Sequence, residues 1–333
     1  MSVTAKELAR QLGLSPAAVS MALGGKHGVS EATRERVLAA ARAQGYDFSR
    51  TRLVGLRGKI ALVIYKKHGA VVSDTPFFSQ LIEGVSASCQ KNRYNLDIRY
   101  FYEKENITEG IRELRASSMD GIILLGTEMQ PADFAPFEQL PEPMIVLDTY
   151  FEDIPCDCVA INNVQGAYLA TNYLISKCSA QPGYLHSSYS IANFEERADG
   201  FYKAVRQNGM SASRSIVHRL APSMDGAYSD MKALLEAGEA TASCYFADND
   251  LIAAGAMKAL KEAGRRIPQD VALIGFDNTS LCELIEPALT TVHVPKQDMG
   301  RLAVERLLDA MKDPKLSTVK IELATYLVRR KSL

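Results

Sequence analysis

TAKELARQLGLSPAAVSMALGGKHGVSEATRERVLAAARAQGY, residues 4–46, holds three short helical patterns separated by turn signals. Thr4 caps the first, with Glu7 three residues on as the partner of a capping box, and Ala5, Leu8, Ala9 and Leu12 fall on one face. Gly13 breaks the pattern. Ser15 caps a second helix, and Pro16 takes the first helical position, where a missing N–H costs nothing. Val19, Ala22 and Leu23 repeat at helical spacing until Gly24-Gly25, and Ser30 caps a third helix that turns Val37, Leu38 and Ala41 inward. Helix, short turn, helix is the unit whose second helix enters the DNA major groove. The plainer alternative is a small three-helix bundle, and charge argues against it. Residues 1–60 carry ten Lys/Arg against four acids, a net of +6 in a chain of net −1, so the remainder carries −7. A basic head on an acidic body is the electrostatic footprint of a nucleic-acid-binding arm.

The pattern G-L-S, A-A-V-S, G-V-S-E-A-T-R-E-R-V and G-Y within this stretch resembles the DNA-binding headpiece of the lactose-repressor/galactose-repressor family. The resemblance implies a transcription regulator with a helix-turn-helix head, a hinge that folds on DNA, and a two-lobed ligand-binding core. In the family a leucine of the hinge wedges into the minor groove, which bends the duplex toward the protein. Here Phe48-Ser49 replaces the usual Pro-Asn, and Gly55 stands nine residues after Tyr46 with Leu56 one step late. Leu56 is the candidate wedge. A basic tether touching only phosphates is the competing reading of the same stretch.

At 333 residues the chain is long enough for two or three domains. Its 47% hydrophobic and 23% charged residues are ordinary for a soluble globular protein. Neither a secretory leader nor an apolar run of the roughly 18 residues that a membrane span needs is legible, so a cytoplasmic location is expected. Six scattered cysteines show no zinc spacing and read as free thiols; no metal and no cofactor are expected.

From Lys59 onward, apolar runs alternate with amphipathic helical patterns. Residues 59–65, 96–102, 121–125 and 144–147 read as strands, with helices over 77–93 and 109–117 between them. A second series follows, with strands over 184–186, 215–218, 242–247 and 271–276 and helices over 164–178, 196–207, 225–236, 251–263 and 299–311. Such alternation predicts an α/β protein with doubly wound parallel sheets. Two lobes of this kind behind a head resemble the family core, itself similar to periplasmic sugar-binding proteins. Family topology implies three passages between the lobes, near 160, 292 and 320. The expected division is a head over 1–46, a hinge over 47–58, an N-terminal lobe over 59–160 and 293–318, and a C-terminal lobe over 161–292 and 319–333. No heptad segment follows the last expected strand, so a homodimer rather than a coiled-coil tetramer is expected.

Ligands of open α/β sheets bind beyond the carboxyl ends of the strands. Asp74 and Phe77 follow the first strand, and Asp148 follows the fourth; Asn163 opens the second lobe. Arg197 begins R-A-D-G-F, similar to the family's R-x-x-G-F. Asn249 lies in D-N-D-L-I-A-A-G, similar to its N-D-x-x-A-x-G, and Asp277 ends the last long strand. Carboxylate, amide and guanidinium groups suit a polyhydroxylated ligand, because they meet neighbouring hydroxyls bidentately. Tyr189, with Phe77, Tyr150, Phe151 and Phe194, could stack on a sugar ring or equally pack in the core. Caps and helix-start salt bridges are the plain alternatives for Arg197, Asn249 and Asp277, and Asp250 reads as structural. Lys66, Lys67 and His68 leave a phosphorylated or nucleoside effector open.

For DNA, the second-helix positions where relatives place long polar base readers hold Pro16, Ala17 and Met21, none of which makes a bidentate bond to a base, while Ser20 can hold a phosphate. Thr4, Ser15, Thr33, Arg34, Lys26 and His27 are the candidate phosphate and edge contacts. Low half-site specificity is therefore expected, with reading through shape. A ligand sensor whose head holds another protein uses the same features. Catalysis is not expected, since no G-x-S-x-G, Walker or H-E-x-x-H motif and no clustered histidines occur.

Overall fold

The computed structural model describes residues 3–23, 28–46, 56–72, 75–105 and 107–333. Lys26, His27, Asp74 and the hinge residues Phe48, Ser49 and Gly55 lie outside the described residues, and so do the expectations placed on them.

The head consists of α1 (Ala5–Leu12), α2 (Pro16–Leu23) and α3 (Glu31–Ala43). Its capping box forms as expected: the Thr4 hydroxyl accepts from the Glu7 amide at 3.3 Å while Glu7 Oε2 accepts from the Thr4 amide at 2.7 Å. Ser15 and Ser30 cap the next two helices through the amides of Ala18 and Thr33. Gly13 adopts φ 65°, the left-handed conformation that ends a helix most cheaply in glycine. Leu8, Ala9, Val19, Ala22, Val37 and Ala41 form the small buried core of the head.

In the core, β1 (Gly58–Lys66), α4 (Pro76–Lys91), β2 (Tyr94–Tyr102), α5 (Ile107–Ala116), β3 (Gly121–Leu125), α6 (Pro131–Phe134), β4 (Met144–Leu147) and β5 (Asp157–Ile161) come first. The second series is α7 (Asn163–Cys178), β6 (Gly183–Ser187), α8 (Ala192–Gln207), β7 (Val217–Leu220), α9 (Met224–Glu236), β8 (Cys244–Ala247), α10 (Asp250–Glu262), β9 (Ala272–Asp277), α11 (Leu281–Leu284) and β10 (Thr290–His293). The chain closes with α12 (Lys296–Lys312), β11 (Lys320–Leu323) and β12 (Tyr326–Val328). Two six-stranded sheets result, ordered β11-β5-β4-β3-β1-β2 and β12-β10-β9-β8-β6-β7. Central strands are covered on both faces, which is why β1, β3 and β8 read as unbroken apolar runs rather than alternating ones.

Three passages join the lobes. The first follows Ile161 and the second follows His293, after which α12 packs on β3, β4 and β5 of the first sheet. The third corrects the expected division. β11 pairs in parallel with β5, Lys320 opposite Cys158 and Leu323 opposite Ile161, so residues 320–323 belong to the first lobe and the passage falls at Ala324-Thr325. Helices α4 and α12 meet backbone to backbone: a methyl group on Gly84 would lie 2.2 Å from the Gln297 carbonyl oxygen. Among the described residues no helix is long and apolar enough to cross a membrane.

Candidate functional site

Between the two lobes lies a narrow, partly open cavity. Strand and helix ends of both lobes line it. Thr127 and Asp148 follow β3 and β4, Phe77 and Phe78 open α4, Asn193 and Arg197 project from α8, and Asn249 and Asp277 stand at the ends of β8 and β9.

Arg197 is the most constrained of these groups. It is 3% exposed, its guanidinium carbon sits 3.8 Å from the centre of the Phe276 ring, Nε donates to Asn163 Oδ1 at 2.9 Å, and Nη1 donates to the Asp248 carbonyl. That leaves Nη2 facing Asp277 Oδ1 at 3.6 Å. Asp248 is itself tied down, accepting from the Ser187 amide at 2.6 Å, the His186 ring at 2.7 Å and the Tyr184 hydroxyl. The arginine that faces the cavity is thus positioned by a second layer of buried polar groups.

Asp148 and Asp277 both adopt positive φ, 65° and 111°, at the ends of their strands. Asp148 Oδ2 accepts from Thr127 at 2.7 Å. Burial pushes the Asp148 carboxyl up to about 6 against the pull of the Thr127 hydroxyl and Arg197. Burial pushes Asp277 up to about 7, with Arg197 and Lys296 opposing and Asp250 and Asp148 assisting. Asn249 caps α10, its Oδ1 accepting from the Ile252 amide at 2.8 Å, so only its amide nitrogen is left to donate into the cavity. Asp250 also borders the cavity, but its carboxylate is taken up by accepting from Thr291 and from the Thr279 amide and hydroxyl.

Several expected residues sit elsewhere. Asn163 stands behind Arg197 as its orienter, also donating to Glu196 at 2.8 Å. Tyr189 is 39% exposed at the rim, its ring 4.6 Å from that of His68 on the other lobe. Phe151 packs on Phe134 in the first-lobe core, and the Tyr150 hydroxyl reaches Glu196 across the lobes. Asn193, Thr127 and Phe78 join the wall without standing out in the sequence. Asn193 lies four residues before Arg197, and that helical spacing alone puts both on one face of α8. It also bridges the lobes by donating to the Asp148 carbonyl at 3.1 Å.

The basic run after β1 turns away from the cavity. Lys67 pairs with Asp133 at 2.8 Å and Glu103 at 3.5 Å, and Lys66 lies over Tyr100. Buried Glu128 holds this loop by accepting from the amides of Lys67, His68, Gly69, Val71 and Val72.

In the head, Pro16, Ala17 and Ser20 are exposed along α2, while Met21 is partly covered near Gly28. The Thr33 hydroxyl is shared with Ser30 at 2.8 Å, and the Thr4 hydroxyl bonds Glu7. Leu56 is 37% exposed.

Comparison with known proteins agrees with this architecture. Residues 4–48 match the model of the lacI family of bacterial regulatory proteins, and residues 175–333 match a periplasmic binding protein-like domain. The ribose operon repressor of Haemophilus influenzae is 29% identical over 336 residues, covering 99% of this chain and 98% of that one. The transcriptional repressor PurR of Vibrio atlanticus is 29% identical over 350 residues, with the same coverage. A LacI family regulator from Enterococcus faecium, solved with bound ribose, superposes with a TM-score of 0.71 at 27% identity over 82% of this chain and 98% of that one. The first two of these relatives are named as repressors. Residues 4–48 thus carry a head of the lacI family of bacterial regulatory proteins, ahead of a periplasmic binding protein-like domain.

Proposed function

We propose that this protein is a homodimeric transcriptional repressor, acting in the cytoplasm, whose hold on double-stranded operator DNA is switched by a small neutral sugar bound between its lobes. Residues 1–46 act as the DNA-binding head and 47–58 as the hinge. The lobes are 59–161 with 294–323, and 162–293 with 324–333. The observation that carries the effector reading is the convergence of Asp148, Arg197, Asn249 and Asp277 on one cavity. Two acceptors and two donors at its wall match the paired donor and acceptor demand of adjacent hydroxyls. Phe77 and Phe78 meet edge to face at 77°, which offers one apolar wall for a sugar ring rather than a slot for a flat base. A phosphorylated effector is disfavoured, because Lys67 is committed to Asp133 and Glu103 and does not line the cavity.

Ligand that closes the lobes moves the first lobe of each protomer relative to its partner, so the two heads no longer engage both half-sites. The coupling is reciprocal, and operator DNA weakens the effector by the same factor. A thermal-shift panel of pentoses, hexoses and their phosphates is the direct test. A ligand at 100 times its dissociation constant adds about 2.7 kcal/mol to stability. The expected result is a shift with a free aldose and none with its phosphate; a shift with phosphates alone refutes the neutral-sugar reading. The same ligand then releases operator DNA in a mobility-shift titration, and unchanged DNA affinity refutes the switch.

A further inference from the structure

Lys296 is buried at 3% exposure where the chain leaves the second lobe for the first. Its Nζ donates to the carbonyl oxygens of Asp277 at 2.5 Å, Val294 at 3.2 Å and Asn278 at 3.4 Å. An ammonium has three donors and no acceptor, so these three carbonyls use it fully and none is left for a ligand. Two carbonyls come from the loop that carries the cavity carboxylate, and the third comes from the passage between lobes. The Phe77 ring of the first lobe lies 5.7 Å from the same nitrogen.

The loop needs holding. Asp277 and Asn278 are consecutive non-glycine residues at φ 111° and 54°, a backbone that persists only when its surroundings over-determine it. The Asp250 carboxylate takes the Thr279 amide on one side, and Lys296 takes the two preceding carbonyls on the other. A neutral side chain of similar length would fill the same space without the desolvation cost of a buried charge.

We infer that Lys296 is a positioning residue: it fixes the cavity acceptor Asp277 and ties it to the passage Val294–Lys296, so that occupancy of the cavity acts on the joint between the lobes. The inference rests on the effector reading of the cavity. The charged groups facing Asp277 are Arg197 from α8, Asp250 from α10, Asp148 after β4 and Lys296 itself. His293 from β10 reaches the same loop through Asn278. Burial raises the Asp277 carboxyl and Lys296 opposes that rise, so removing the positive charge raises it further.

Full-length Lys296→Gln, Lys296→Met and Lys296→Arg variants test this in two measurements. Carbon NMR of aspartate-labelled protein follows the Asp277 carboxyl, assigned by its loss in Asp277→Asn. Gln and Met raise its midpoint by about one pH unit or more, while Arg, which keeps the charge, leaves it near the wild-type value. Calorimetry with D-ribose then shows about fivefold weaker binding by Gln and Met near neutral pH, because a one-unit rise from about 7 cuts the ionised fraction of Asp277 from about one half to about one tenth. That deficit closes as the pH rises and is absent in Arg. Gln preserves two donors, which separates charge from hydrogen bonding and guards against a Met variant that fails to fold. An unchanged Asp277 midpoint in Gln or Met overturns the inference, as does a ribose deficit shared by Arg and constant with pH. If wild-type protein binds no ribose, the choice of sugar fails by itself, and the NMR titration alone decides the role of Lys296.

Discussion

The outward face of α2 and the wall of the inter-lobe cavity are opposite solutions to recognition. On α2, Pro16, Ala17 and Ser20 are short and exposed, and none has the reach to fork onto a base. Around the cavity the polar groups are braced from behind, buried Arg197 by Asn163, Asp248 and Phe276, buried Asp148 by Thr127, and the loop of partly buried Asp277 by Lys296 and Asp250. On the proposed reading, the cavity is preorganised for a matching set of hydroxyls, whereas the head supplies charge and shape and the order of the bases enters through how easily the DNA deforms. Specificity for the small molecule would then be built into the fold, while specificity for DNA would depend on what the duplex contributes.

The largest expected effect comes from breaking the braced side. Arg197→Met leaves Asp277, Asn163 and the Asp248 carbonyl without their donor, and removal of one partner of a buried charged pair costs about 3–5 kcal/mol. Urea unfolding of the core should show that loss, and calorimetry should show no measurable sugar binding. On the head the comparison is sharpened by salt. Arg34→Ala should weaken operator and unrelated DNA alike and reduce the slope of log affinity against log salt by about 1. A loss confined to the operator would mean that this arginine reads bases.

A third test uses pH. Asp148 and Asp277 titrate above the ordinary carboxylate range, at about 6 and about 7, so the folded chain binds more protons than the unfolded chain over that interval. Their contribution to stability is present in full below the unfolded value near 4 and is lost as pH rises to about 7. Sugar affinity should move the other way and strengthen as Asp277 ionises. Asp277→Asn should flatten both dependences, seen in thermal unfolding and calorimetry across the range. The smallest effect is Thr4→Ala, which removes the α1 cap at about 1 kcal/mol to the head. Sugar binding by the core should not change.

How much of this is legible in the sequence differs between the same two regions. The head reads almost whole, because caps, glycine stops and 3.6-residue spacing act within a few neighbours, and all three helices begin where Thr4, Ser15-Pro16 and Ser30 place them. In the core the strands and helices are legible, and so are Asp148, Arg197, Asn249 and Asp277 as residues at element ends. Asn163 reads wrongly as a lining residue because a polar side chain at a helix start looks the same whether it faces a ligand or an arginine. Asn193 carries a usable signal in its spacing from Arg197. Lys296 carries none, since its carbonyl partners on the Asp277 loop are brought to it by sheet order and not by neighbourhood in the chain.

The sequence by itself therefore determined the helix-turn-helix head, the alternating α/β core and the chemical kind of its cavity residues, because local propensity and periodicity are short-range forces. Tertiary structure alone decided which polar groups meet across the lobes, where the third passage falls, and which buried cation holds the carbonyls of the loop that carries the cavity carboxylate. Those pairings join residues as far apart as Asp148 and Asn193 or Cys158 and Lys320. Only the packing of the two sheets brings them within hydrogen-bond range.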